Sequence, residues 1–402
     1  MGLALPSRVW MRQDSAKAAF EAVLGPQGNS KDWTTVSLWG TVQSIVALMI
    51  ASDLLGPELG TDTRWLKATH RLDRAMMVGV VGSDYTPRIL RPLVAPIVFL
   101  PAKLVDWYMQ SLVRPTVERE LKVYEAKEVK EADGGHNSSD DIISTIVQDG
   151  GVGTGTVCHR SIKEKFPLTE WLLDRYQSVD GRLSRLLRDY MVIASEAAVS
   201  PSGRLYFMLA DLATRPDLVQ ELRDEVERNK DEFGHLPLGY LAELRKMDSS
   251  MLESAQAAES RYLALFRRVQ KPLKLSIGPE LPPGTLICVD KYHFAKSQTE
   301  YEDVEEMDPL RFYRMRQKPG HEEMHQFAMP GPNNTIWGNG TQACPGRAFA
   351  SITINVVLAH LLTHYDIQLL PGGANEPKRY SMPNGSSSPD IMSKIMIRDR
   401  FR

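Results

Sequence analysis

The sequence is short of cysteine, of charge bias and of long apolar runs, and each shortage closes off a class of protein. Three cysteines in 402 residues, Cys158, Cys288 and Cys344, are too few and too scattered for a disulfide framework. A reducing compartment, or a thiol used as a ligand, is the expectation. With 48 Lys and Arg against 50 Asp and Glu, the formal net charge is −2. No basic stripe is present for a nucleic-acid partner. The most apolar stretch, Val42 to Leu55, carries Asp53 and reads as too short to span a bilayer. Ile89 to Leu104 holds three prolines, which interrupt a continuous span. The start, Met1 to Pro6, has no basic flank before an apolar run, and Pro6 stands where an N-myristoylation signal has Ser or Thr. No transmembrane segment is expected; the chain reads as soluble or peripherally attached.

What is present is apolar material at helical spacing. Apolar residues make up 43% of the chain, enough for a sizeable core, and charged residues 24%. Trp39, Val42, Ile45, Val46 and Met49 recur at three- and four-residue intervals. So do Leu183, Leu186, Leu187, Tyr190, Met191 and Ala194, and then Phe349, Ile352, Val356, Val357 and Leu361. Strand-like runs are few, the clearest being Thr285 to Val289 after the turn Pro282-Pro283-Gly284. A polar, glycine-bearing segment at 132–156 reads as a flexible loop insertion. The expected fold class is mainly α (α+β), with a little sheet toward the C-terminal half and one domain over 1–402.

The sharpest local feature is Trp337-Gly338-Asn339-Gly340-Thr341-Gln342-Ala343-Cys344-Pro345-Gly346-Arg347. A glycine-rich loop presents one cysteine and an amphipathic helix starts beside it. Glycines let the backbone fold closely around a bulky partner, and Pro345 suits the first turn of the helix. A thiolate at a helix N-terminus is stabilised by the dipole and is a good ligand. A buried structural cysteine beside a helix cap would show the same spacing.

The loop resembles the haem-binding signature of cytochromes P450, aromatic-x-x-Gly-x-x-x-Cys-x-Gly-Arg, at every fixed position. His325-Gln326-Phe327, Ala359-His360-Leu361-Leu362 and Tyr365-Asp366 resemble the fungal secondary-metabolite branch. Further similarity lies in Leu54 to Leu59, Leu90 to Pro96, Asp211 to Pro216, Phe266 to Arg268 and Asp308 to Tyr313. The resemblance implies a P450-like fold with haem iron held by Cys344, and thiolate ligation that favours O–O cleavage. It implies Trp337 over the sulfur, with Arg268, together with Arg267, and the position of Gln342 facing haem propionates. Glu253 and Arg311 would brace the loop, and Glu196 and Ser200 would lie nearest the substrate. A small apolar natural-product substrate, a reductase partner and a cytoplasmic location peripheral to the endoplasmic reticulum are implied with it.

Relative to that family the chain is expected to begin late, lacking the N-terminal anchor, first sheet and early helices. Three further departures fall on the redox machinery. The Glu-x-x-Arg helix appears as Glu253-Ser254-Ala255-Gln256, so the arginine is replaced by Gln256. Breaking a buried acid–base pair costs about 3–5 kcal/mol. The central helix reads Glu196-Ala197-Ala198-Val199-Ser200-Pro201. Ser200 takes the place of the family's threonine, Val199 that of its polar neighbour, and Pro201 removes a helix hydrogen bond. Glu196 and Ser200, four apart, could form a makeshift proton relay; a capped kink is the plainer expectation. Gln342 stands where relatives carry His or Arg. Together these departures point away from ordinary monooxygenase chemistry.

His321-Glu322-Glu323-Met324-His325 matches a zinc-hydrolase pattern, but that motif needs a helix and a third ligand. Gly151 to Gly155 lacks the strand-to-helix setting of a phosphate loop, and Asn137-Ser138-Ser139 means little without a secretory signal. Three functions remain. One is a haem-dependent oxidation of a terpenoid or polyketide intermediate. Another is a haem-independent cyclisation of intramolecular Diels–Alder type, which needs mainly a folded substrate. The third is a non-catalytic remnant or a partial gene model.

Overall fold

The computed structural model describes residues 9–27, 31–132, 167–176, 178, 180–231, 236, 241, 243–258, 263–290, 306–331, 334–373, 376–381 and 387–400. Met1 to Pro6, Cys158 and nearly all of 132–156 lie outside them. In chain order the helices are α1 (Val9–Leu24), α2 (Leu38–Leu55), α3 (Pro57–Gly60), α4 (Thr63–Asp84), α5 (Arg91–Val98), α6 (Leu100–Ala132) and α7 (Pro167–Leu173). They continue with α8 (Arg182–Ala213), α9 (Pro216–Arg228), α10 (Arg245–Ala258), α11 (Arg311–Met315) and α12 (Arg347–His364). The strands are β1 (Thr34–Ser37), β2 (Leu263–Arg268), β3 (Leu286–Asp290), β4 (Tyr365–Gln368), β5 (Arg379–Ser381), β6 (Ser387–Pro389) and β7 (Lys394–Asp399). The mainly α character expected from periodicity is observed. Packing divides the chain into two compact units, Met1–Met49 with Ala198–Arg402, and Ile50–Ala197.

In the first unit α12 is the central helix, because its apolar residues are not confined to one stripe. From Phe349 to Thr363 all but Ile352 and His360 are buried. α1 and α9 both pack on it. Phe20 of α1 lies against His360 (ring centroids 4.5 Å) and Tyr365 (5.4 Å). Burial there, with His364 adjacent, pushes the His360 imidazole down to about 3. The antiparallel sheet β1–β7–β4 lies in the same unit, with Thr34 opposite Ile397 and Tyr365 opposite Asp399. β2 and β3 form a separate ribbon with a bulge between Ala264 and Arg267. Strand β3 starts one residue later than Thr285, because the Thr285 backbone N–H and hydroxyl both close the turn onto the Pro282 carbonyl.

In the second unit α4, α5 and α6 pack on one another, and α7 on α6. Gly79 of α4 is where α5 and α6 join: an added Cβ would lie 2.5 Å from the Phe99 ring. The prolines of 89–104 interrupt the span as expected, α5 and α6 meeting at a 43° bend. Along α6 every fourth residue reaches outward, Glu120 to Thr169 and Tyr190, Tyr124 to Asp174 (2.9 Å), and Glu128 to Arg182 (2.6 Å).

One expectation is corrected. The apolar segment read as Val42–Leu55 begins at Leu38, and at 18 residues it is long and apolar enough to cross a membrane. Its window is 67% buried within the protein, as a core helix would be. α8 continues through Pro201, and the Ser202 hydroxyl donates to the Ala198 carbonyl at 2.6 Å.

Candidate functional site

The Cys344 loop is a tight backbone structure before it is a chemical one. The Cys344 N–H donates to the Trp337 carbonyl at 2.6 Å, closing the loop on itself. Gly338 sits at φ +77°, and a Cβ there would come 2.9 Å from the Gln342 carbonyl oxygen, so only glycine fits without a shift. A 3₁₀ turn over Gly340–Gln342 follows, with the Asn339 side chain accepting from Gly340 N–H (2.8 Å). α12 then starts at Arg347, whose Nη1 donates back to the Cys344 carbonyl at 2.9 Å. Cys344 is half-buried and its thiol is free. A Cβ at Gly346 would stand 3.9 Å from Sγ, so glycine leaves that side of the sulfur open.

Behind the loop the indole of Trp337 is held by Phe327. Their rings meet edge to face at 5.2 Å, and Trp337 Nε1 donates to the Phe327 carbonyl at 2.6 Å. Asn334 Nδ2 reaches the same carbonyl (3.3 Å) and that of Met329 (2.9 Å). Phe327 N–H in turn donates to Asp248 Oδ2 at 3.0 Å, and Arg316 Nη1 donates to that oxygen at 3.1 Å. Burial pushes the Asp248 carboxyl up to about 6, opposed by the Phe327 N–H and the Arg316 charge.

The Glu253–Arg311 brace is present. Both side chains are buried, and the Arg311 Nε approaches Glu253 Oε2 at 3.3 Å. The Asp308 N–H donates to Glu253 Oε1 at 3.0 Å, and Arg311 Nη2 donates to the Glu306 carbonyl at 2.7 Å. Gln256 lies one turn further along α10 and is half-buried. The cation that faces Glu253 therefore comes from residue 311. α10 is fixed at its start by Glu225, whose carboxylate accepts the Lys246 and Met247 N–H groups at 2.7 and 2.9 Å.

Gln342 is exposed beside the loop. Arg267 and Arg268 are exposed on β2, their guanidinium groups donating to the carbonyls of Phe266 (2.9 Å) and Gly284 (3.2 Å). Glu196 and Ser200 are exposed on α8. His321 and His325 stand in turns and not on a helix, with ring centroids 5.8 Å apart. Among the described residues no group of three His, Cys, Asp or Glu side chains could hold a metal ion.

Sequence reasoning missed Asp248, Arg316 and Asn334, and singled out Phe327 only as part of the resemblance, with no role. Asp248 occupies the first turn of α10, where an acid reads simply as a partner of the helix dipole. The available signal was an acid set between the apolar positions Met247 and Met251, both buried.

Comparison with known proteins agrees with the loop. The family model for cytochrome P450 matches residues 192–392. The cytochrome P450 monooxygenase CYP1 of Pyricularia oryzae is 37% identical over 398 residues, covering 98% of this chain and 67% of its own length. The cytochrome P450 monooxygenase cheG of Chaetomium globosum is 38% identical over 364 residues, 90% of this chain and 99% of its own. The pyrichalasin C-18 hydroxylase of Pyricularia grisea is 34% identical, over 98% of this chain and 69% of its own. These relatives carry monooxygenase and hydroxylase names, so the haem-independent cyclase is not favoured, and the departures at Gln256, Ser200 and Gln342 do not displace the oxidative reading. The residues also fit a haem-thiolate group: a free, half-buried thiol stands at a helix N-terminus, in a loop whose glycines leave the sulfur accessible. Family model, relatives and loop agree, and the chain belongs to the cytochrome P450 family of haem-thiolate monooxygenases.

Proposed function

We propose that this P450 oxygenates an apolar terpenoid or polyketide-derived intermediate in a fungal secondary-metabolite pathway, with Cys344 as the iron ligand. The observation that carries the reading is the closed Cys344 loop at the start of α12. When bound, the haem-thiolate group supplies oxygen activation. The protein's part is to hold the thiolate and position the reactants. Cys344 Sγ is presented by the glycine turns, with its N–H spent on Trp337 and its carbonyl on Arg347. Neither backbone group is then free to draw the loop elsewhere. Arg268, Arg267 and Gln342 are proposed to face the propionates, and Glu196 and Ser200 to serve the substrate side, by their match to the family's positions. The pyrichalasin enzyme's name records a hydroxylation at one carbon. The same reaction class is proposed here, with a reductase supplying electrons.

Peripheral attachment to a membrane is supported by exposed apolar side chains of α5, α6 and the turn before them. They include Ile89 (86% exposed), Leu93 (71%), Ile97 (70%) and Trp107 (72%).

The test is the absorbance of haem-supplied protein, reduced under carbon monoxide, beside Cys344→Ala. A thiolate-type Soret band that disappears in the variant is expected. Reductase-coupled turnover of pathway intermediates, followed by mass spectrometry for a gain of one oxygen, then identifies the substrate. Colourless protein under the same loading would overturn the assignment of Cys344.

A further inference from the structure

Two acids on α10 reach into the segment that leads to the cysteine. Glu253 holds its first part, at Asp308 and Arg311. Asp248, five residues earlier and so turned by more than a third of a revolution, holds a later part; the family resemblance assigns Asp248 no role. Its Oδ2 accepts from Phe327 N–H (3.0 Å) and from Arg316 (3.1 Å). Phe327 is fully buried and Arg316 4% exposed, so neither contact is a loose surface pairing. The Phe327 carbonyl accepts the Trp337 indole N–H at 2.6 Å, and the Trp337 carbonyl accepts the Cys344 N–H at 2.6 Å. Three hydrogen bonds thus run from a charged side chain on α10 to the backbone of the cysteine.

We infer that Asp248 is a positioning residue for Cys344, acting through Phe327 and Trp337 with Arg316 as its counter-ion.

Hydrogen-bonded chains in a buried setting reinforce one another, and removing one member leaves its neighbours with unsatisfied polar groups. Loss of the Asp248 carboxylate frees the Phe327 N–H, and with it the carbonyl that orients the indole. The loop then opens locally more often, and Cys344 spends more time accessible. Asp248 itself touches neither the thiol nor any reacting atom. The inference rests on Cys344 being the functional thiol of the proposed function.

The experiment has one readout that needs no haem and one that does. In the 402-residue chain before haem loading, Cys344 alkylation by iodoacetamide is followed by mass spectrometry, with exposed Cys288 on β3 as the internal reference. Asp248→Ala, which removes the acceptor of the Phe327 N–H, and Trp337→Phe are each expected to raise the Cys344-to-Cys288 rate ratio about tenfold, as loss of a buried hydrogen bond permits. The double variant is expected to match the larger single effect, because the two act through one chain. Ile395→Ala, a buried position on β7, serves as a destabilised control and is expected to leave the ratio unchanged. In haem-loaded protein, the thiolate-type band of the carbon monoxide complex is expected to fall by at least about half in Asp248→Ala, with bound haem retained. A labelling ratio within about twofold of wild type, multiplying single effects, or an equal rise in Ile395→Ala would each overturn the inference. If labelling behaves as expected while wild type shows no thiolate band, the relay stands and the haem assignment of Cys344 fails.

Discussion

At the scale of single residues, the Cys344 loop depends on positions where no other side chain fits. Gly338 combines a positive φ with a Cβ position 2.9 Å from the Gln342 carbonyl oxygen. Gly338→Ala is therefore expected to lower stability by about 1–3 kcal/mol and to reduce haem incorporation, read by urea titration and by the haem-to-protein ratio. An unchanged midpoint with full incorporation would show that the loop tolerates a shift. Arg311 is a different kind of residue, since it faces a buried carboxylate. Arg311→Met leaves Glu253 with the Asp308 N–H alone, and a loss of about 3–5 kcal/mol is expected. Arg311→Lys should recover part of it in the same titration. The cysteine, its glycines and the Glu253–Arg311 pair were legible in the sequence because their spacing is local or matches a family motif. Asp248 was not. Its role depends on Phe327 and Arg316, brought to it by the fold from far along the chain, and nothing in the order of residues marks that meeting.

At the scale of elements, the long apolar runs were legible as helices, but their surroundings were not. α12 reads as amphipathic and is in fact covered nearly all round, because α1 and α9 both pack on it. α8 continues through Pro201. The charged second half of α6 has partners that its sequence does not mark: Glu120 accepts from the Thr169 hydroxyl and from Tyr190, itself 1% exposed. Burial pushes the Glu120 carboxyl up to about 7, against the pull of Thr169, Tyr190 and Arg119. The sign of the linkage follows. A carboxyl whose folded value lies above its unfolded value contributes stability below the unfolded value, and that contribution is lost as pH rises toward 7. The α6–α7–α8 seam in the Ile50–Ala197 unit is therefore expected to loosen between about pH 5 and 8. Glu120→Gln should flatten that dependence, as measured by amide hydrogen exchange of α7 across the range. Equal pH dependence in both proteins would assign the effect to another group.

At the scale of the whole molecule, the balance of charge is near zero, so the proposed attachment to a surface rests on where apolar groups stand, not on net charge. The exposed apolar residues are concentrated in one stretch of chain. Tyr85, Ile89, Leu93, Ile97, Leu104 and Trp107 are each at least 60% exposed, and Arg88, Arg91 and Lys103 stand among them without an acid between Tyr85 and Val105. The sequence showed the prolines that break this stretch, but not that the apolar side chains face outward. That depends on which face α4 covers, with Gly79 admitting Phe99 at close range. An apolar surface flanked by cations binds an anionic bilayer by burying methylene groups at about 0.8 kcal/mol each, with a smaller electrostatic share. The 402-residue chain is thus expected to co-float with phosphatidylcholine–phosphatidylserine vesicles. The triple substitution Leu93→Ser, Ile97→Ser and Trp107→Ser should reduce the bound fraction at least about tenfold, while added salt reduces it only a few-fold. Binding that survives the triple substitution would move the attachment site elsewhere on the chain. Binding abolished by salt alone would make it electrostatic, and the exposed apolar set would then need a different occupant.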